Sequence, residues 1–270
     1  MESLLSVHPV LLALLATCFT WLCTALGASF VFFFRSVPRP LFNSMLGFSS
    51  GIMIAASFWS LLLPALELWE TKTNHAWFYA SLSFLSGGLV LYLIHKFLPH
   101  LHVGLESNRQ EGGRSSFQRS ILLVIAITLH NIPEGLAVGV AFGALGDNFT
   151  AQALASALVV AFGIGIQNIP EGAAVSIPLL REGFSVRRSF WYGQLSGFVE
   201  PLGGLLGAAL VFSMANVLPF ALCFAAGAMI FVVIEELIPE SHTGQETEMS
   251  TLGALFGFVL MMALDLGLGA

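Results

Sequence analysis

Charge is what this sequence has least of. Of its 270 residues only 10% are Asp, Glu, Lys or Arg, whereas 56% are hydrophobic. A soluble domain carries about 25% charged residues, so one apolar core in water is excluded and lipid is the solvent this composition suits. The formal net charge is −6, and no basic patch exists to hold nucleic acid. Cysteine is nearly missing too. Cys18, Cys23 and Cys223 are odd in number and embedded in apolar runs, which excludes a disulfide framework and a zinc knuckle. No H-E-x-x-H string occurs, which argues against a membrane-embedded metallohydrolase. No polar stretch is long enough for a soluble signalling domain. The first residues, MESLLSVHPV, carry no positive segment, so the apolar run behind them is expected to be a retained span and not a signal peptide.

What the sequence does have is long apolar runs. About 20 such residues cross a bilayer as a helix. Eight runs qualify, at roughly 9–34, 41–66, 75–95, 120–146, 150–180, 189–213, 216–238 and 250–268. They predict an all-α polytopic membrane protein, a single transmembrane transporter domain over 1–270 with a polar loop at 96–119. Turn-forming strings such as RSVPRP, ETKTNH and REGFSVRR separate the runs. Loops after odd-numbered spans hold Arg35, Arg39, Lys96, Arg109, Arg114, Arg119, Arg181, Arg187 and Arg188; loops after even-numbered spans hold Lys72 alone. The positive-inside rule then puts the odd loops in the cytoplasm and both termini outside. Asn148-Phe149-Thr150 is a formal glycosylation sequon, but on an outer loop too short and too close to the membrane to carry weight. Short loops suit a bacterial inner (plasma) membrane.

Two of the apolar runs are interrupted at their centres by one string. HNIPEGLAVGVAFG covers 130–143 and QNIPEGAAVSIPLL covers 167–180. At helical spacing His130, Asn131 and Glu134 project from one face of the fourth span, and Gln167, Asn168 and Glu171 from one face of the fifth. Pro133 and Pro170 cannot donate a backbone hydrogen bond, which frees the carbonyls of Leu129 and Ile166. Such breaks are tolerated at membrane depth where they are buried in protein or line a cavity. Glu200, followed by Pro201, adds a third mid-span carboxylate. An unpaired ionised Glu there costs on the order of several kcal/mol, and no Lys or Arg lies at that depth. Protons or a cation must neutralise these groups. Carboxylate, imidazole and amide donors in one cavity suit a divalent metal, with affinity falling as pH drops because the ligands must be deprotonated.

These strings, with YGQLSGFVEPLGG and IEELIPESH, resemble spans four to seven of the ZIP family of divalent-metal transporters, in its GufA-like branch. The resemblance extends from GIMIAASFWSLLLPALE in span two to FVLMMALDLGLG in span eight. It implies eight helices, both termini outside, and two adjacent metal positions between spans four, five and six. The first would use Met53, His130, Glu134, Gln167 and Glu171. The second would use Asn131, Asn168 and Glu200, with Glu134 and Glu171 bridging. One departure stands out: many members carry an acid where this chain has the neutral Asn168, which weakens the second position. His95, Glu235, Glu240 and His242 are candidates for a cytoplasmic exit path.

The expected function is uptake of Zn2+ toward the cytoplasm by alternating access around the midplane site. Cd2+, Mn2+, Fe2+ and Cu2+ are alternative cargoes. No enzyme activity and no prosthetic group are expected. The expected partners are divalent metal ions and the lipid bilayer, not nucleic acid, with a homodimer as a further expected assembly. The rival reading is a proton- or cation-coupled transporter of a small organic solute that uses the same carboxylates for its coupling ion.

Overall fold

Lipid offers no partner to a backbone N–H or C=O, so each apolar segment must close its own hydrogen bonds. This chain does so as helices. The computed structural model describes residues 7–97, 119–146, 149–242 and 247–268, and no strand occurs among them. Eight long helices follow one another in the described residues: α1 (Pro9–Phe32), α2 (Arg39–Glu70), α3 (Ala76–Phe97), α4 (Arg119–Gly143), α5 (Ala151–Arg181), α6 (Val186–Ser213), α7 (Leu218–Ser241) and α8 (Glu248–Leu268). Seven of them are long and apolar enough to cross a membrane. The eighth, α4, has 25 residues, and some side chains in its first turns lie outside the described set. The protein is therefore an all-α polytopic membrane protein. Most of the loop expected at 96–119, and the sequon's Asn148, lie outside the described residues.

Local chemistry sets several helix starts. The hydroxyl of Thr150 accepts from the Ala153 N–H at 3.1 Å and that of Ser185 from the Arg188 N–H at 3.4 Å, each satisfying a donor that the first helical turn leaves open. The outward faces of α3 and α8, with Leu82, Leu85 and Leu89 on one and Leu252, Leu255 and Phe256 on the other, are exposed apolar surfaces suited to lipid.

Four helix pairs pack most closely: α1 with α5, α4 with α6, α2 with α8, and α3 with α7. In each, a glycine lets two backbones touch. A methyl group on Gly172 would overlap the Thr24 carbonyl, one on Gly135 the Glu200 carbonyl, one on Gly257 the Phe48 carbonyl and one on Gly227 the Phe84 carbonyl. Small residues serve this purpose in membranes because lipid supplies no hydrophobic drive between helices. The first two pairs join into one group (α1, α4, α5, α6) and the other two into a second (α2, α3, α7, α8), meeting along α2–α5 and α4–α7. At that seam the close glycine contact among the described residues is with side chains, Gly163 against the sulfur of Met261.

Three interruptions mark the interior. Both α2 and α7 contain a π turn, Ala56–Leu62 and Val233–Leu237, with Pro64 and Pro239 two residues beyond. Helix α6 breaks at Gly197 and Phe198, so that Val199–Ser213 begins afresh just before Glu200. Pro133 and Pro170 stay inside their helices.

Candidate metal site

The two N-I-P-E-G strings meet at the centre of the first helix group. His130, Asn131, Glu134, Gln167, Asn168, Glu171 and Glu200 are all buried, while no Lys or Arg is buried among the described residues. Glu134 accepts a 2.7 Å hydrogen bond from the Gln167 amide, which ties α4 to α5. Its other oxygen, the side-chain amide oxygen of Gln167, both oxygens of Glu171 and both side-chain polar atoms of Asn131 have no hydrogen-bond partner. Buried polar atoms left this way are costly and rare. Here they belong to two carboxylates and two amides on facing helices. Oxygen donors of this kind are what a hard or borderline divalent cation accepts.

Glu200 and Asn168 are different. One Glu200 oxygen accepts from the Thr24 hydroxyl at 3.2 Å, the other from the Asn168 amide at 2.9 Å. The same amide also donates to the Thr20 carbonyl at 3.2 Å. Three helices, α1, α5 and α6, thus close around this carboxylate. Gly197 is required beside it, since a side chain would meet the Thr24 hydroxyl at 2.8 Å and a Glu200 oxygen at 3.0 Å.

His130 leads away from the carboxylates toward α7. Its Nδ1 lies 3.1 Å from one oxygen of Glu236, and Nε2 of His95 lies 3.0 Å from the other. A buried glutamate therefore bridges two imidazoles on α3 and α4. Of the two adjacent acids here, the exit-path candidate Glu235 is exposed and Glu236 is buried. The π turn at Val233–Leu237 sets the register that turns Glu236 inward. Glu240 is buried one turn further on, within electrostatic reach of Arg39 at the start of α2. His242 is exposed and its Nδ1 lies 2.9 Å from the Ile238 carbonyl and 3.1 Å from the Ser241 hydroxyl. Met53 is fully buried on α2 within the apolar core.

Among the described residues no three His, Cys, Asp or Glu side chains converge as a ready cage for an ion. The reason is visible in the contacts: amides intervene between the carboxylates, and His130 is turned to Glu236. A metal here would be held by two carboxylates together with amide oxygens, after the Glu134–Gln167 bond gives way.

At the end of the bundle opposite the arginine-bearing loops, a cleft of about 520 Å³ opens between the two helix groups. Ser60, Glu67, Ser156 and Asp265 contribute its polar lining, and the Ser60 hydroxyl donates to Asp265 at 2.6 Å. Asp265 had no role in the sequence reading, because a lone acid near a helix end is an ordinary solvated residue.

Known proteins share this chain's pattern. Residues 105–265 match the family model described as ZIP Zinc transporter. The chain is 39% identical over 333 aligned residues to the zinc transporter ZIP11 of Homo sapiens, spanning 95% of this chain and 97% of that protein. It is 38% identical over 259 residues to the zinc transporter GufA of Myxococcus xanthus, spanning 95% and 98% respectively. With the zinc transporter ZIPB of Bordetella bronchiseptica it shares 38% over 249 residues, 91% of this chain and 78% of the other.

Proposed function

The chain belongs to the ZIP zinc transporter family, and from that premise we propose that it carries Zn2+ across the plasma membrane into the cytoplasm by alternating access around Glu134 and Glu171. The observation that carries this reading is the set of buried, unpartnered oxygens on Glu134, Gln167 and Glu171, with no buried Lys or Arg among the described residues. Among the described residues no buried Lys or Arg neutralises them, and a divalent cation would. Gln167 would exchange its amide hydrogen bond for coordination through its oxygen. His130 would offer Nε2, with Glu236 on its Nδ1 as the outer carboxylate that orients a ligating imidazole. Met53 would complete the set from α2, as the family resemblance implies.

The positive-inside asymmetry supports eight spans, with both termini outside and the arginine-bearing loops in the cytoplasm. In that orientation the Glu67–Asp265 cleft is the outer entrance. The buried track from Glu236 with His95 to Glu240 is the inner exit, ending near His242. The packing supports a motion as well. Backbones interlock within each helix group, whereas the seam between groups is made by side chains, so α1, α4, α5 and α6 can slide as a unit against the rest.

Radioactive zinc uptake into proteoliposomes, with the native chain beside Glu171→Ala, tests this directly. Manganese and cadmium serve as competitors. The expected result is saturable uptake that falls by about 100-fold or more in the variant, as loss of a central ligand requires. Absent uptake from a well-folded native chain would overturn the zinc reading. Uptake indifferent to Glu171→Ala would refute the ligand assignment.

A further inference from the structure

We infer that Asn168 does permanently what a second metal ion would do beside Glu200, so that the transport site of this chain holds one ion and not two. This rests on the transport reading above and deepens it.

The starting point is which carboxylates are satisfied. Glu171 has two oxygens without a hydrogen-bond partner and Glu134 has one. Glu200 has none: Thr24 serves one oxygen and Asn168 the other. Glu200 also sits in the first turn of the half-helix Val199–Ser213, where open backbone N–H groups and the helix dipole favour an anion. Two hydrogen bonds and a helix N-terminus thus serve this carboxyl group without a metal.

The orientation of the Asn168 amide follows from chemistry. Its Nδ2 lies 3.2 Å from the Thr20 backbone carbonyl, a group that can only accept, and 2.9 Å from a Glu200 oxygen. The NH2 group has two hydrogens and finds two acceptors. Reversing the amide would face an oxygen against both of them. The place beside Glu200 that a cation would take is therefore filled by a covalently attached donor of partial positive charge. The other oxygen is served by the Thr24 hydroxyl, and a side chain at Gly197 would crowd both.

An aspartate at 168 would reverse the situation. Two buried carboxylates would face each other with the amide donor gone, and the Thr20 carbonyl would lose its donor from α5. A buried carboxylate pair of this kind needs a cation or a proton. Asn168 is thus a specificity-determining residue for metal number, and Asn168→Asp should create the second position.

The experiment is zinc stoichiometry on the purified full chain in lipid nanodiscs, equilibrated with Zn2+ alone and freed of excess metal. X-ray absorption at the zinc edge is recorded on the same samples. The expected result is about one zinc per native chain with no metal–metal scattering. Asn168→Asp should hold about two with a metal–metal vector, and Asn168→Asp with Glu200→Gln should return to about one. Two zinc ions with metal–metal scattering in the native chain would overturn the inference and leave transport standing. So would a folded Asn168→Asp variant that still holds one. If that variant does not fold, the native absorption spectrum decides alone. A native chain with neither bound zinc nor uptake would overturn the transport reading itself.

Discussion

The string N-I-P-E-G is written twice in this protein, and the two copies have opposite fates. In α4, Asn131 has no hydrogen-bond partner and Glu134 is held by Gln167; in α5, Asn168 is held on two sides and Glu171 by nothing. The residue before each string differs as well. His130 reaches out of the group to Glu236 on α7, whereas Gln167 reaches within it to Glu134. Identical letters do not specify identical chemistry, because each side chain answers to the helix it faces. Asn168 faces α1 and α6, where a carbonyl and a carboxylate wait. What the copies do share is mechanical. Gly135 and Gly172 each lie against a neighbouring backbone, and the neighbour returns the contact: Gly203 approaches the Ile132 carbonyl and Gly27 the Ile169 carbonyl.

That shared half is where the largest effect is expected. Gly135→Val and Gly172→Val should each cost about 3 kcal/mol or more, since the added atoms meet backbone and not a flexible side chain. Thermal unfolding in detergent micelles should show both variants destabilised alike, while Gly267→Val, with nothing within 4 Å of its new atoms, shifts little. A large difference between Gly135→Val and Gly172→Val would break the mechanical equivalence of the two copies.

The middling effect separates the copies. Asn168→Ala removes the donor to both Glu200 and the Thr20 carbonyl and should cost about 1–3 kcal/mol, the range for stranding a buried acceptor. Asn131→Ala removes two polar atoms that have no partner, so the metal-free protein should lose almost nothing or gain slightly. With zinc present the order changes. Ligand-induced stabilisation follows mass action, and it should shrink in Asn131→Ala if that amide oxygen joins the ion. Equal destabilisation of the two metal-free variants would mean that Asn131 has a structural partner after all.

The sequence made some of this legible and hid the rest for physical reasons. Glu134, Glu171 and Glu200 stand out because an acid in an apolar run has no cheap explanation. The bundle itself was readable from run length. Which of Glu235 and Glu236 faces inward was not: two adjacent acids near a helix end look equivalent until a π turn fixes the register. Nor could Thr24 be recognised as a donor to Glu200, since threonines in a membrane helix usually bond their own backbone. Thr17 and Thr20 do so here, to the Ala13 carbonyl at 2.8 Å and the Thr17 carbonyl at 3.0 Å. The division into two helix groups was hidden for a similar reason. A glycine stripe announces close packing without naming the partner.

The smallest effect probes the seam between those groups. The Ser49 hydroxyl on α2 donates to the backbone carbonyl of Gln167 on α5 at 3.0 Å, and Ser49 is fully buried. Its acceptor is the residue before Asn168 and so belongs to the second copy of the string. Ser49→Ala should cost about 1 kcal/mol or less, the net worth of an ordinary hydrogen bond. The sign of its effect on transport is the informative part. If α5 slides past α2, this bond must break in every cycle, and removing it should leave uptake unchanged or make it faster despite the small loss of stability. If the two helices stay together, the bond is merely structural, and uptake should fall only as far as the folded fraction does. Uptake that drops well below the folded fraction would put Ser49 on the ion's path, and the seam would then be part of the site and not a boundary beside it.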